Sequence, residues 1–188
     1  MDWRDIKGMG RVGLNDFSPG DVAAMTGLST DLQRVWRRRG HLPARSESRA
    51  SFDARDVAAI AVRHELARMG FSPPDTVEIG IKAAPLVLFY ALLSGDGAAD
   101  LRGGLKRLAE IAERFAQDEK VAKSISGVDH PYRYLWSSSP PMIEFVDDAC
   151  AMLSADRFSA MLVLDLAVIG HQLVANSPKA LFTIEVPS

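Results

Sequence analysis

Six arginines fall between residues 31 and 49, at positions 34, 37, 38, 39, 45 and 49, accompanied by only two acids, Asp31 and Glu47. A guanidinium is planar and permanently charged, and offers paired donors to a phosphate or to O6 and N7 of guanine. Concentrated this way, the residues suit recognition of a polyanion. The rest of the chain does not share the bias. The 188 residues are net −2, and residues 1–70 hold 12 Lys/Arg against 9 Asp/Glu while residues 71–188 hold 10 against 15.

Two short helices are expected to position these arginines. Ser18-Pro19-Gly20-Asp21 sets a capping hydroxyl before a proline at the first helical position, and Gly27 ends the helix. After Leu28, Ser29 caps a second helix that stops at Gly40. Its apolar residues Leu32, Val35 and Trp36 stand at i, i+3 and i+4 and are expected to face the core. That choice turns Thr30, Arg34 and Arg37 outward, with Arg38 on the flank. Two helices with a tight glycine-containing turn make a helix-turn-helix, whose second member enters the major groove. The polar run Arg45-Ser46-Glu47-Ser48-Arg49-Ala50-Ser51 reads as an exposed wing, with Arg45 and Arg49 on the flanking backbone. Asp53 then caps a third helix, Ala54 to Met69, whose Val57, Ile60, Ala61 and Ala67 pack beneath the first two.

The run from Phe17 to Pro73 resembles the DNA-binding domain of the MerR family of bacterial transcriptional regulators. More loosely it is similar to the winged domains of phage excisionases and small terminase subunits. The matching features are the opening helix and turn from Ser18 to Ser29, the second helix with Arg34, Trp36, Arg38 and Gly40, and Leu42-Pro43. Phe52 and Asp56 follow at the next helix, and Met69-Gly70-Phe71-Ser72 closes the unit. The chain departs from the family where Gln33 replaces a leucine, Val35 an aromatic, Arg37 a glutamate and Phe52 a tyrosine. The resemblance covers about 57 of the 188 residues and fades after residue 78. It implies a sequence-specific regulator of transcription that binds double-stranded DNA, with RNA polymerase or a small-molecule effector as further partners.

Three regions are expected: a mobile arm over 1–16, a winged helix-turn-helix over 17–74, and a small α+β module with a mostly antiparallel sheet over 75–188. In the last, residues 75–93 read as an apolar helix interrupted at Pro85. Asp100 to Ile125 reads as an amphipathic helix on Leu101, Leu105, Leu108, Ile111, Ala112 and Phe115. Tyr132–Trp136 and Met142–Val146 read as an antiparallel pair, continued by Met161–Leu164. Asp165 caps a helix from Leu166 to Val174 before a strand from Leu181 to Val186, and a single helix over 156–175 is the alternative. This module is expected to dimerise the protein or to bind a ligand or partner. A homodimer sets two second helices about 34 Å apart on a palindromic site.

Other chemistry finds little support. One cysteine, Cys150, behind Asp147-Asp148, provides neither a disulfide nor a thiolate metal site, and acids disfavour a reactive thiolate. His41 and His64 lack partners at metal spacing, and neither a phosphate loop nor a catalytic triad pattern occurs. No enzyme, cofactor or metal is expected. The longest uncharged apolar run, Ala83 to Leu93, is about half of a membrane span. The expectation is a soluble cytoplasmic protein without a membrane partner. An architectural role in phage excision or packaging is one alternative, and a ligand-binding α+β module without a DNA role is the other. An aromatic pocket at His130, Tyr132, Tyr134, Trp136 and Glu144 is a candidate site for the latter.

Overall fold

Local caps set the first helices. In the computed structural model, which describes residues 5–6, 10–42, 51–95, 97–103, 119–139, 142–148 and 161–185, α1 spans Pro19–Thr26 and α2 spans Thr30–Arg38. Ser18 Oγ accepts the Asp21 N–H while the Asp21 carboxylate accepts the Ser18 N–H, which closes a reciprocal capping box. Gly27 ends α1 with φ 74°, a left-handed conformation that lets its N–H reach the Ala23 carbonyl. A second capping box, between Asp53 and Asp56, opens α3 over Ala54–Arg68. After the Pro73-Pro74 break, α4 runs over Val77–Leu93 with Pro85 inside it.

The described strands form three sheets. In the first, β1 (Asp5–Ile6) pairs with β2 (Gly10–Leu14), and β2 runs antiparallel to β9 (Phe182–Glu185), with Val12 opposite Ile184. β5 (Ala99–Arg102) lies parallel to β9 on its other side, with Leu101 opposite Ile184. A two-stranded sheet joins β3 (Asp16–Phe17) to β4 (Phe52–Asp53), setting Phe17 against Phe52. In the third, β6 (Tyr134–Ser139) is the centre, antiparallel to β7 (Met142–Val146) and to β8 (Leu162–Asp165). α5 covers Glu119–Ser126 and α6 covers Leu166–Asn176. The fold is α+β with mostly antiparallel sheets.

α4 is the spine of the molecule. Its Ala83, Ala84, Val87 and Ala91 are fully buried, with α3 and α6 packed on it. The approach of α6 is closest at Gly170, where a Cβ would stand 2.6 Å from the Val87 carbonyl oxygen. Only a hydrogen fits there. Trp36, Ile60, Val87, Ile169 and Phe182 belong to a single cluster, so the core continues across residue 74, in the turn between two helices that pack on each other.

Several expectations need correction. Residues 10–14, assigned to a mobile arm, form a strand because β9 offers Arg11 to Leu14 a ladder of backbone partners. Helical periodicity places Leu101 in a long helix from Asp100, but residues 99–102 pair with β9 and put Leu101 against the core from a strand. Leu105, Leu108, Ile111, Ala112 and Phe115 lie outside the described residues, as do Cys150 and residues 45–50 of the expected wing, with Arg45 and Arg49. The single helix over 156–175 is excluded by β8, after which Asp165 caps α6 by accepting the Ala167 and Val168 N–H groups. Among the described residues no helix is long and apolar enough to cross a membrane.

Candidate nucleic-acid interface

The unit that carries the arginines is braced from three sides. Ser29 Oγ accepts the Leu32 N–H and caps α2. Gln33, buried to 1% exposure, donates from Nε2 to the Pro19 and Leu28 carbonyls, each at 2.9 Å, and so ties α2 to the start of α1 and to the turn. His64 on α3 donates from Nδ1 to the Thr26 carbonyl at 2.9 Å, holding the end of α1 from below. The Thr26 hydroxyl in turn donates to the Val22 carbonyl and accepts the Leu28 N–H.

This bracing rotates α2 from the orientation that its apolar residues imply. Gln33 and Trp36, at i and i+3, form the buried edge, and Trp36 is 4% exposed. Leu32 is an exposed residue at 37%, and Val35 is half-buried. The assignment of Leu32 and Val35 to the core face is therefore corrected. A buried amide with carbonyl partners outcompetes a leucine for the inward position, since the Leu28 carbonyl in the turn requires a donor.

The predicted site residues are thereby divided. Arg34 and Arg38, one turn apart, are exposed. Arg34 Nη1 pairs with Asp31 Oδ1 at 2.6 Å, with side chains 74% and 85% exposed. Such a surface pair contributes at most about 1 kcal/mol and exchanges readily for another anion. Arg38 and the neighbouring Arg39, also exposed, make no ion pair among the described residues. Arg37, expected to face outward with Arg34, is half-buried on the flank instead, its guanidinium 5.5 Å from the Phe52 ring centroid. Thr30 is half-buried at the first position of α2, about 12 Å of helix rise from Arg38. Arg39 joins the exposed cations at the C-cap, beside the negative end of the helix dipole.

Electrostatics around the unit follow from its caps. The N–H and hydroxyl of Ser18 hold the Asp21 carboxyl below its ordinary value. Burial, and then the Asp53 carboxylate, push Asp56 above its ordinary value. Sequence reasoning missed two residues here. Gln33 resembles a substitution of a core leucine, and Arg63 resembles a surface arginine of α3, whereas Arg63 is 5% exposed with its guanidinium 5.0 Å over the Trp36 ring. No cluster of three or more His, Cys, Asp or Glu residues fit to hold a metal occurs among the described residues. The candidate aromatic pocket is divided as well. Tyr132 meets the His130 ring edge-on and the Phe145 ring at a tilt, with His130 Nε2 2.8 Å from Asp147 Oδ2, whereas Trp136 is buried.

Comparison with protein-family models, with curated proteins and with solved structures returns no significant match to this chain.

Proposed function

We propose that the protein is a sequence-specific double-stranded DNA-binding regulator of transcription that acts as a homodimer. The observation that carries this reading is the exposed face of α2. It sets Arg34, Arg38 and Arg39 on a helix locked to its predecessor by Gln33, in a chain that is otherwise net acidic. A short helix held to its predecessor across a tight turn is the kind of element that enters a major groove. Phosphate contacts from Arg38 and Arg39 set the register, and Arg34, released from Asp31, reads a base edge from nearer the helix N-terminus. Arg37 supports this surface by stacking on Phe52. Two copies on one duplex read a palindrome with half-sites about one helical turn apart.

The test is selection of bound sites from a randomised duplex library with the purified chain. Enrichment of a symmetric motif is expected. Recovery of DNA with no enriched sequence favours the architectural alternative, and recovery of none contradicts the proposal.

A further inference from the structure

Behind the C-terminal end of α2 lies a cavity of about 440 Å³, within the range of small-molecule sites. α3 and α4 form its walls, with Phe52, Ile60, Val77 and Ile81 supplying apolar surface, and Gly40 and His41 border it. Its charged members are Arg63 and Asp56.

Arg63 is the unusual group. It is 5% exposed, yet no carboxylate faces it among the described residues. Its Nε donates to Thr76 Oγ1 at 3.5 Å and its Nη2 to the Pro73 carbonyl at 3.4 Å, both long for N–H···O bonds. Nη1 has no acceptor among the described residues. Buried cations are ordinarily paired, because desolvation without a counter-charge is costly. The side chain is also confined. Trp36 covers the guanidinium, and at Gly80 of α4 an added Cβ would stand 2.5 Å from Arg63 Cγ. An under-used guanidinium on a residue that lines an apolar cavity calls for an anionic head group on an apolar body. Asp56 lies two turns earlier on α3, about 10 Å away along the axis, and opposes a second negative charge at that end.

We propose that this cavity binds a small amphipathic monocarboxylate, with its head group on Arg63 and its apolar body along Phe52, Ile60 and Val77. The occupant lies beside two contacts that α2 makes with the rest of the fold, Arg37 on Phe52 and Trp36 on Arg63. As a site of regulation this rests on the DNA-binding reading; as a binding site it does not.

The test is calorimetric titration of the full chain, without DNA, with hexanoate, octanoate and decanoate and with the corresponding primary alcohols. At least one carboxylate is expected to bind about tenfold more tightly than its alcohol, the value of one charge-assisted hydrogen bond. Arg63→Met is expected to bring acid and alcohol to equal affinity. Ala59→Leu, which fills the cavity from its wall, is expected to abolish binding of both. The proposal is overturned if no carboxylate binds, if acid and alcohol bind alike to the unaltered chain, or if the preference survives Arg63→Met. Should Arg63→Met fail to fold, Ala59→Leu decides: retained carboxylate affinity overturns the site and abolished affinity supports it. Repeating the titration with duplex present separates the two readings. Carboxylate binding by a chain with no affinity for DNA upholds the cavity site and defeats the regulator.

Discussion

Removing the Gln33 amide tests whether the α1–α2 unit is held as described. Its two N–H···O bonds at 2.9 Å contribute about 1 kcal/mol each, and the Leu28 carbonyl is left buried without its donor. Truncation to alanine also leaves a void worth about 1 kcal/mol. Against these losses, the unpaired buried Oε1 disappears, which lowers the total slightly. Gln33→Ala is therefore expected to destabilise the protein by about 3 kcal/mol, a fall in Tm of roughly 6 to 12 °C for a chain of this size. Gln33→Leu loses the same two bonds and the same unpaired oxygen but refills the volume, so its cost is about 2 kcal/mol. Gln33→Glu sets a carboxylate against two carbonyl oxygens and is the most damaging of the three. Urea unfolding monitored by circular dichroism measures all three, with the m-value checking that the denatured state is unchanged. A destabilisation below about 0.5 kcal/mol for Gln33→Ala, or a leucine variant worse than the alanine variant, refutes the bracing argument.

Two further perturbations probe the remainder of the fold. At Gly170→Ala the new Cβ meets only backbone, 2.6 Å from the Val87 oxygen and 2.8 Å from the Ala91 nitrogen, so α6 must move off α4; a destabilisation of about 3 kcal/mol or more is expected in the same unfolding assay. Burial pushes the Tyr90 hydroxyl up to about 12 from 10.0, and the hydroxyl donates to the Pro131 carbonyl at 2.7 Å. Because its folded-state value is raised, the unfolded chain releases this proton first. The contribution is complete below pH 10 and disappears as pH rises toward 12. Stability curves of the unaltered protein and of Tyr90→Phe are expected to differ by a constant below pH 10 and to converge above it; a constant offset through pH 12 contradicts the assignment.

The features that could be read from the sequence are those whose cause is local. The Ser18/Asp21 and Asp53 caps, the glycine at 27 and the cap at Asp165 each act within a few residues, and all stand where their residue types imply. β5 was not legible. Its partner strand lies about 80 residues further on, and the leucine at 101 fits a helical spacing as well as a strand. Gln33 was misjudged for a related reason. Hydrophobic periodicity ranks leucine above glutamine for the core, whereas the carbonyls of Pro19 and Leu28 that reverse this order become visible only once the turn is built. The arginine cluster is legible as a cationic surface, but the division between exposed Arg34 and Arg38 and the stacked Arg37 depends on the rotation that Gln33 imposes. Arg63 and its cavity arise from the packing of α3 on α4, which no spacing within either helix encodes.

The central claim is that the exposed guanidinium groups of α2 meet the phosphates of a DNA duplex. Its most direct test is fluorescence anisotropy of a labelled duplex titrated with the unaltered protein and with Arg38→Ala across a salt series. Affinity is expected to fall linearly with salt on logarithmic axes, and Arg38→Ala to reduce the slope by about 0.9, because one phosphate is no longer neutralised. Absence of binding in dilute buffer, or an Arg38→Ala slope equal to that of the unaltered protein, contradicts the account.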